Sequence, residues 1–250
     1  MIAGLTANTP YFVRAYATNS EGTAYGDQVS FTTTGGSGGQ PCPGIPTVTY
    51  GGQVYNTVQI GTQCWLKENL NIGTMINGSQ EQANNGIIEK YCYDNIENNC
   101  DIYGGLYQWD EMMQYVTTEG TKGICPSGWH VPGDAEWKIL EGTVDSQYGV
   151  GDPEWDNIGW NGFDVGKNLK STSGWMNNGN GTDLYGFTAL PGAYRTPSGD
   201  FDGLGYFGHW WSSTQEIWGV YYRFLDNSVE EQRTFNSKTY SFSVRCIKDE

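Results

Sequence analysis

Gly208-His209-Trp210-Trp211-Ser212-Ser213-Thr214 decides the reading of this chain, and Ser243-Val244-Arg245-Cys246, about thirty residues downstream, completes it. A third island, Cys125-Pro126-Ser127-Gly128-Trp129-His130-Val131-Pro132, lies upstream of both. Each island joins tryptophan or cysteine to small polar residues. Together they describe a globule clamped by disulfides and filled with tryptophan, with a surface better suited to gripping than to catalysis.

The composition around these islands is that of a loop-rich domain. The 250 residues include 36 Gly, 10 Trp and 17 Tyr, and only 16% are charged. Large aromatics bury much apolar area each, so a few of them can anchor long irregular segments. The loops are therefore expected to be ordered. A net charge of -15 argues against nucleic acid, because binding a polyanion needs Lys and Arg to displace phosphate counterions. Acidity of this kind serves solubility outside a cell, or divalent cation binding. No stretch approaches the roughly 20 apolar residues of a membrane span, and the N-terminus has neither a basic flank nor an apolar signal core, so the chain reads as a fragment or mature form of something longer.

Six cysteines, at positions 42, 64, 92, 100, 125 and 246, form an even set without the C-x-x-C spacing of a zinc or redox centre. Three disulfides are the economical reading, although six cysteines allow about fifteen connectivities. Cys92 to Cys100 reads as a local loop closure, Cys42 and Cys64 flank a candidate hairpin, and Cys125 remains for Cys246. Disulfides imply an oxidising compartment, extracellular or on the cell surface.

Along the chain, Tyr11, Val13 and Ala15 alternate with Phe12, Arg14 and Tyr16, followed by a glycine turn and Val29-Ser30-Phe31-Thr32-Thr33: strand, turn, strand. Residues 35–41 are a Gly/Ser-rich linker, and a second domain occupies 42–250. Short strands are expected over 47–50, 53–60 and 63–66, and again over 186–190, 210–213, 220–225 and 241–246. Tyr103 to Val116 places Leu106, Trp109, Met113 and Val116 on one helical stripe. Gly133-Asp134-Ala135-Glu136 opens a second helix with Trp137, Leu140 and Val144 on its stripe. Two helices, many short antiparallel strands and long loops make an α+β fold.

Residues 1–34 resemble the last strands of a fibronectin type III domain, a partial β-sandwich, with Leu5 and Tyr11 at the spacing of its tyrosine corner. The remainder, from Pro41 to Glu250, resembles the Fibrobacter succinogenes major paralogous domain of bacterial secreted and surface proteins. The blocks carrying the likeness include 58–70, Tyr103-Gly104-Gly105-Leu106-Tyr107-Gln108-Trp109, 125–132, Leu190-Pro191-Gly192-Ala193-Tyr194-Arg195, 210–214 and 243–246. The resemblance implies a C-type lectin-like fold. A more distant similarity to formylglycine-generating enzymes implies only a shared scaffold, since that chemistry needs reactive thiols and the simplest pairing leaves none. Relatives include variable proteins of diversity-generating retroelements, whose C-terminal stretch is rewritten to bind different targets. That resemblance places ligand-binding positions at Tyr206, His209, Glu216, Trp218, Tyr221, Arg223, Asp226 and Asn227. Arg195 and Arg223 could add bidentate contacts to an acidic group.

Catalysis needs a positioned acid, base or nucleophile, and none is assigned. His130 sits in an apolar stretch and reads as structural, while Asp110-Glu111 and Glu230-Glu231 are adjacent and point apart. No cofactor is required. Ca2+ is the one candidate ion, with Asp152, Glu154, Asp156 and Asp183 in oxygen-rich loops as its candidate ligands. The expected function is recognition of an extracellular protein or glycan. The alternative is a structural subunit of an extracellular assembly, joined through the N-terminal strands.

Overall fold

Trp210 and Trp211 are neighbours on one strand, so their side chains leave it in opposite directions, and each fills a different core. Trp210 packs with Trp65, Trp137, Phe187 and Leu225. Trp211 packs with Tyr107, Trp109, Phe242 and Val244. Both indole N–H groups find buried acceptors, Trp210 on Asn69 Oδ1 at 2.8 Å and Trp211 on the Tyr107 carbonyl at 2.7 Å. This dipeptide is the hinge of the whole arrangement. The computed structural model describes residues 10–20, 22–32 and 39–249.

The strand that carries them, Gly208–Glu216, is the edge of a four-stranded antiparallel sheet with Gly219–Leu225, Glu231–Asn236 and Gly159–Asn161. A five-stranded sheet contains Thr47–Tyr50, Gln53–Ile60, Gln63–Leu66, Ile247–Lys248 and Trp129–His130, in that order. Its first hairpin turns on Gly51-Gly52, with φ of 55° and 80°, the left-handed pair that a two-residue turn needs to match strand twist. A third sheet places Tyr107–Gln108 beside Ser241–Phe242, Tyr194–Arg195 and Phe201–Asp202. Thr74–Met75 and Glu89–Lys90 form a short parallel pair.

The three expected disulfides are present: Cys42–Cys64, Cys92–Cys100 and Cys125–Cys246. The last spans 121 residues and joins the chain just ahead of the two strands that form the final pair of the large sheet, Trp129–His130 and Ile247–Lys248. Cross-linking so long a loop removes about 5 kcal/mol of denatured-state entropy in the chain-entropy model, against about 2.5 kcal/mol for the 8-residue Cys92–Cys100 closure. The neighbouring Arg245 is fully buried. It donates to the Phe187 carbonyl at 2.7 Å and Asn69 Oδ1 at 2.9 Å, and its guanidinium lies 4.3 Å from the Phe187 ring centre. Burial lowers its pKa to about 10, so it stays charged at neutral pH. The Ser243–Cys246 block is thus a core fastening.

The α+β, C-type lectin-like expectation is overturned. Strand residues outnumber helical ones, and the fold is mostly β, built from several antiparallel sheets. One expected helix is present, Asp134–Val144, with Trp137, Leu140 and Val144 buried and Glu136 accepting from the Gly133 N–H at 2.8 Å across its first turn. The other is not. A helix Glu97–Tyr103 ends at Gly104, residues Tyr107–Gln108 form a strand, and only Trp109–Met112 is helical. Gly104 leaves the helical region at φ 86° and ψ 172°, and a Cβ there would lie 2.5 Å from that of Asn69, so only glycine fits this turn away from the helix. Leu106, Trp109 and Met113 are buried as the stripe required, but Val116 is 43% exposed. Tertiary contacts outweighed local periodicity.

Pro10–Asn19 and Gly22–Thr32 pair as an antiparallel hairpin. Its described side chains, Phe12, Tyr16, Tyr25 and Val29 among them, are largely exposed. Leu5 and most of the linker lie outside the described residues, as do the side chain of Tyr11 and hence the proposed tyrosine corner.

Candidate functional site

Antiparallel partners share a face, so the register of the C-terminal sheet sorts its side chains into two sets. One set follows Trp210↔Arg223↔Arg233 and Tyr221↔Phe235, and it turns inward except for Phe235, which stays exposed at its end. The other follows His209↔Phe224↔Gln232↔Trp160 and Trp211↔Tyr222↔Thr234, and most of it meets solvent.

The inward face is a sealed charge cluster. Arg223, 1% exposed, contacts Asp134 at 2.8 Å, Glu231 at 3.1 Å and Glu141 more closely still. Arg233 grips Asp134 with two nitrogens, at 2.7 and 2.8 Å, and lies over the Tyr221 ring at 4.2 Å. Burial alone would raise the Asp134 pKa, but Arg233 and Arg223 outweigh it and hold the carboxyl well below the usual range. Glu231 goes the other way. Full burial and the nearby Glu141 push its pKa well up, against the pull of Arg223. Lys138 joins from the rim, 3.2 Å from Asp134 Oδ2.

The open face is aromatic and uncharged. Tyr194, Phe207, His209, Tyr222, Phe224, Asn236, Tyr240 and Phe242 line a pocket of about 230 Å3. His209 forms its floor, stacked on Phe242 with centroids 4.7 Å apart and tilted against Phe224 at 4.8 Å. Desolvation lowers the His209 pKa to about 3, so the ring is neutral. Its Nδ1 is buried without a hydrogen-bond partner. Beyond the pocket the rings continue, with Phe207 at 5.4 Å and Trp160 at 5.5 Å from Phe224. Gln232, Thr234 and Asn236 on the adjacent strand supply amides and a hydroxyl.

Of the residues expected to bind ligand, few reach this surface. His209 lies at its centre, and Tyr206 stands at its rim beside Phe207. Arg223 and Tyr221 belong to the buried face. Arg195, 1% exposed, donates to the Gly78 carbonyl at 2.7 Å, pairs with Glu81 at 2.8 Å and covers the Tyr91 ring, which makes it a structural brace. Glu216 and Trp218 flank the hairpin turn at the far end of the sheet; Trp218 is 75% exposed. Asp226 Oδ1 accepts from the Ser228 N–H at 2.7 Å, and its carbonyl accepts from buried Lys170, fixing the next turn, where Asn227 is exposed. Sequence reasoning missed Phe224, Gln232, Thr234, Asn236, Trp160, Tyr194, Phe207 and Tyr240 as site residues.

The oxygen-rich loops are occupied by the chain itself. Asp152 caps the Glu154 N–H at 2.9 Å, Glu154 accepts from the Gly162 N–H at 3.1 Å, Asp156 pairs with Lys138 at 2.7 Å, and Asp183 accepts from both the N–H and hydroxyl of Thr188 at 2.7 Å. Among the described residues no group of three or more His, Cys, Asp or Glu is placed to hold a metal ion.

Fold and surface together define a class: a disulfide-braced, mostly β domain with one aromatic, uncharged face. Among the described residues no helix is long and apolar enough to cross a membrane. The family model of the Fibrobacter succinogenes major domain matches residues 58–248, and the chain belongs to that family. No curated protein and no solved structure matches it.

Proposed function

We propose that this chain is a secreted or cell-surface recognition domain that binds an extracellular protein or glycan through the open face of its C-terminal sheet, and that it is not an enzyme. The aromatic pocket over His209 carries this reading. Concave, mostly aromatic surfaces with a few convergent polar groups are the usual form of a binding site, and this one rests on a frame fixed by three disulfides. The same disulfides and the bacterial family support an oxidising, extracellular setting. Non-catalytic function is supported by the setting of both histidines: His130 is held between Glu136 and Asp249 at 2.8 Å each, and His209 is sealed in neutral form. All six cysteines are paired, which removes the thiols that a formylglycine-generating oxidase would use.

The test is binding of the full chain to arrays of purified extracellular proteins and glycans, in parallel with Phe224→Ala and Trp218→Ala. Signals lost with Phe224→Ala and kept with Trp218→Ala are expected. Signals indifferent to Phe224→Ala would move the site elsewhere. A second reading, assembly into an extracellular array, is favoured by the exposed aromatics of the N-terminal hairpin, since an isolated two-stranded sheet is marginal alone. A mass in light scattering that stays monomeric at every concentration would end it.

A further inference from the structure

We infer that the ligand of the open face is an uncharged saccharide, with one sugar ring seated in the pocket above His209 and the chain continuing over Phe224 toward Trp160. This rests on the recognition role proposed above and specifies its ligand.

Charge is the first argument. The strand positions that build the face, His209, Phe224, Tyr222, Gln232, Thr234 and Trp160, carry no charge at neutral pH, although the chain as a whole has a net charge of -15. One carboxylate, Asp202, stands at the pocket's edge, accepting from the Tyr194 hydroxyl at 3.3 Å. An anionic ligand would be desolvated there without a counter-charge and repelled by the molecule, and a cationic one would find its only carboxylate partner among the lining's contacts at the edge rather than over the rings. The second argument is the pairing of ring faces with polar groups. Rings cover the C–H faces of a pyranose, while the Gln232 and Asn236 amides and the Thr234 and tyrosine hydroxyls match its hydroxyl groups. A purely apolar side chain would cover the Gln232 amide and leave it unpaired, at its full desolvation cost. The third argument is size and direction. About 230 Å3 is below the usual 300–1,000 Å3 of small-molecule pockets and suits a single ring. The track of centroids, 4.8 Å from His209 to Phe224 and 5.5 Å on to Trp160, offers further rings a surface.

The experiment is a glycan array of neutral gluco-, manno- and galacto-configured oligosaccharides beside sialylated and uronate-containing ones, with a peptide array in parallel, each with and without a chelator. The strongest binder is then titrated calorimetrically against the full chain, Trp160→Ala, Gln232→Glu and Trp218→Ala, with thermal unfolding as the check on folding. Expected are neutral-glycan binding, a roughly tenfold loss for Trp160→Ala, in line with one aromatic stacking contact, a comparable loss for Gln232→Glu, and no change for Trp218→Ala. Binding confined to acidic glycans or peptides, but lost in Trp160→Ala, overturns the saccharide inference and leaves the recognition face standing. Binding that survives both Trp160→Ala and Gln232→Glu overturns the face itself. Silence on every array counts against both.

Discussion

The two faces of the C-terminal sheet differ by one residue of register and by everything else. Tyr221, Arg223 and Arg233 point into a sealed cluster with Asp134, Glu141 and Glu231, whereas Tyr222, Phe224 and Gln232 look outward over an uncharged aromatic surface. In this protein Arg223 and Arg233 hold the fold from the inner face of the sheet, while Tyr222, Phe224 and Gln232 on the outer face are partly open to contact. That inverts the common expectation that arginine marks a binding surface. A buried guanidinium is tolerable only with its carboxylates in place, so it belongs where the structure is most rigid.

The frame behind both faces is the place for the largest effect. Cys125→Ser with Cys246→Ser should cost about 5 kcal/mol, roughly twice the loss from opening Cys92–Cys100, measured by denaturant unfolding under non-reducing conditions. Next is the inward face. Asp134→Ala leaves Arg223 and Arg233 short of a counter-charge and should cost about 3–5 kcal/mol; a loss below about 1 kcal/mol would dissolve the contrast between the faces.

Acid and base then separate two carboxyls of the same cluster. Asp134 has a depressed folded pKa, so its contribution is present above the ordinary aspartate value near ~4 and is lost as pH falls below it. Glu231 has a raised folded pKa, so the native state holds a proton that the unfolded chain releases above about 4.3, and stability declines as pH rises from there toward the folded pKa. Glu231→Gln should therefore remove that decline, so that the variant gains stability relative to wild type at pH 8 compared with pH 5. Unfolding midpoints of wild type and variant across pH would show it; parallel profiles would contradict a protonated Glu231.

On the outward face the expected stability effects are the smallest. Trp160→Ala and Trp218→Ala should each change stability by within about 0.5 kcal/mol, because neither side chain is buried. Binding should distinguish them, falling only for Trp160→Ala. A Trp160 variant that unfolds would mean that the open face is part of the core after all.

Much of the frame was legible in the sequence because its signals are local. Cysteine spacing pointed to the three pairings, and Trp137, Leu140 and Val144 marked the Asp134–Val144 helix through their period after Pro132. Tyr103 to Val116 misled for the opposite reason. The stripe identified buried residues, but whether they bury from a helix or a strand depended on Asn69 crowding Gly104 and on Phe242 pairing with Tyr107, both far away in the chain. In the oxygen-rich loops Asp152 and Asp183 use their oxygens on nearby backbone groups, a local role that composition does not distinguish from ion binding.

By itself the sequence determined the family, the disulfide frame and the tryptophans destined for burial, because these follow from residue type and short spacing. The tertiary structure alone decided which face of the strand Gly219–Leu225 looks outward. Both alternating sets there contain an aromatic residue, so hydrophobic pattern cannot choose between them. The choice was made by Asp134 and Glu141, carried on a helix some eighty residues earlier, which draw Arg223 inward and so turn Tyr222 and Phe224 toward solvent.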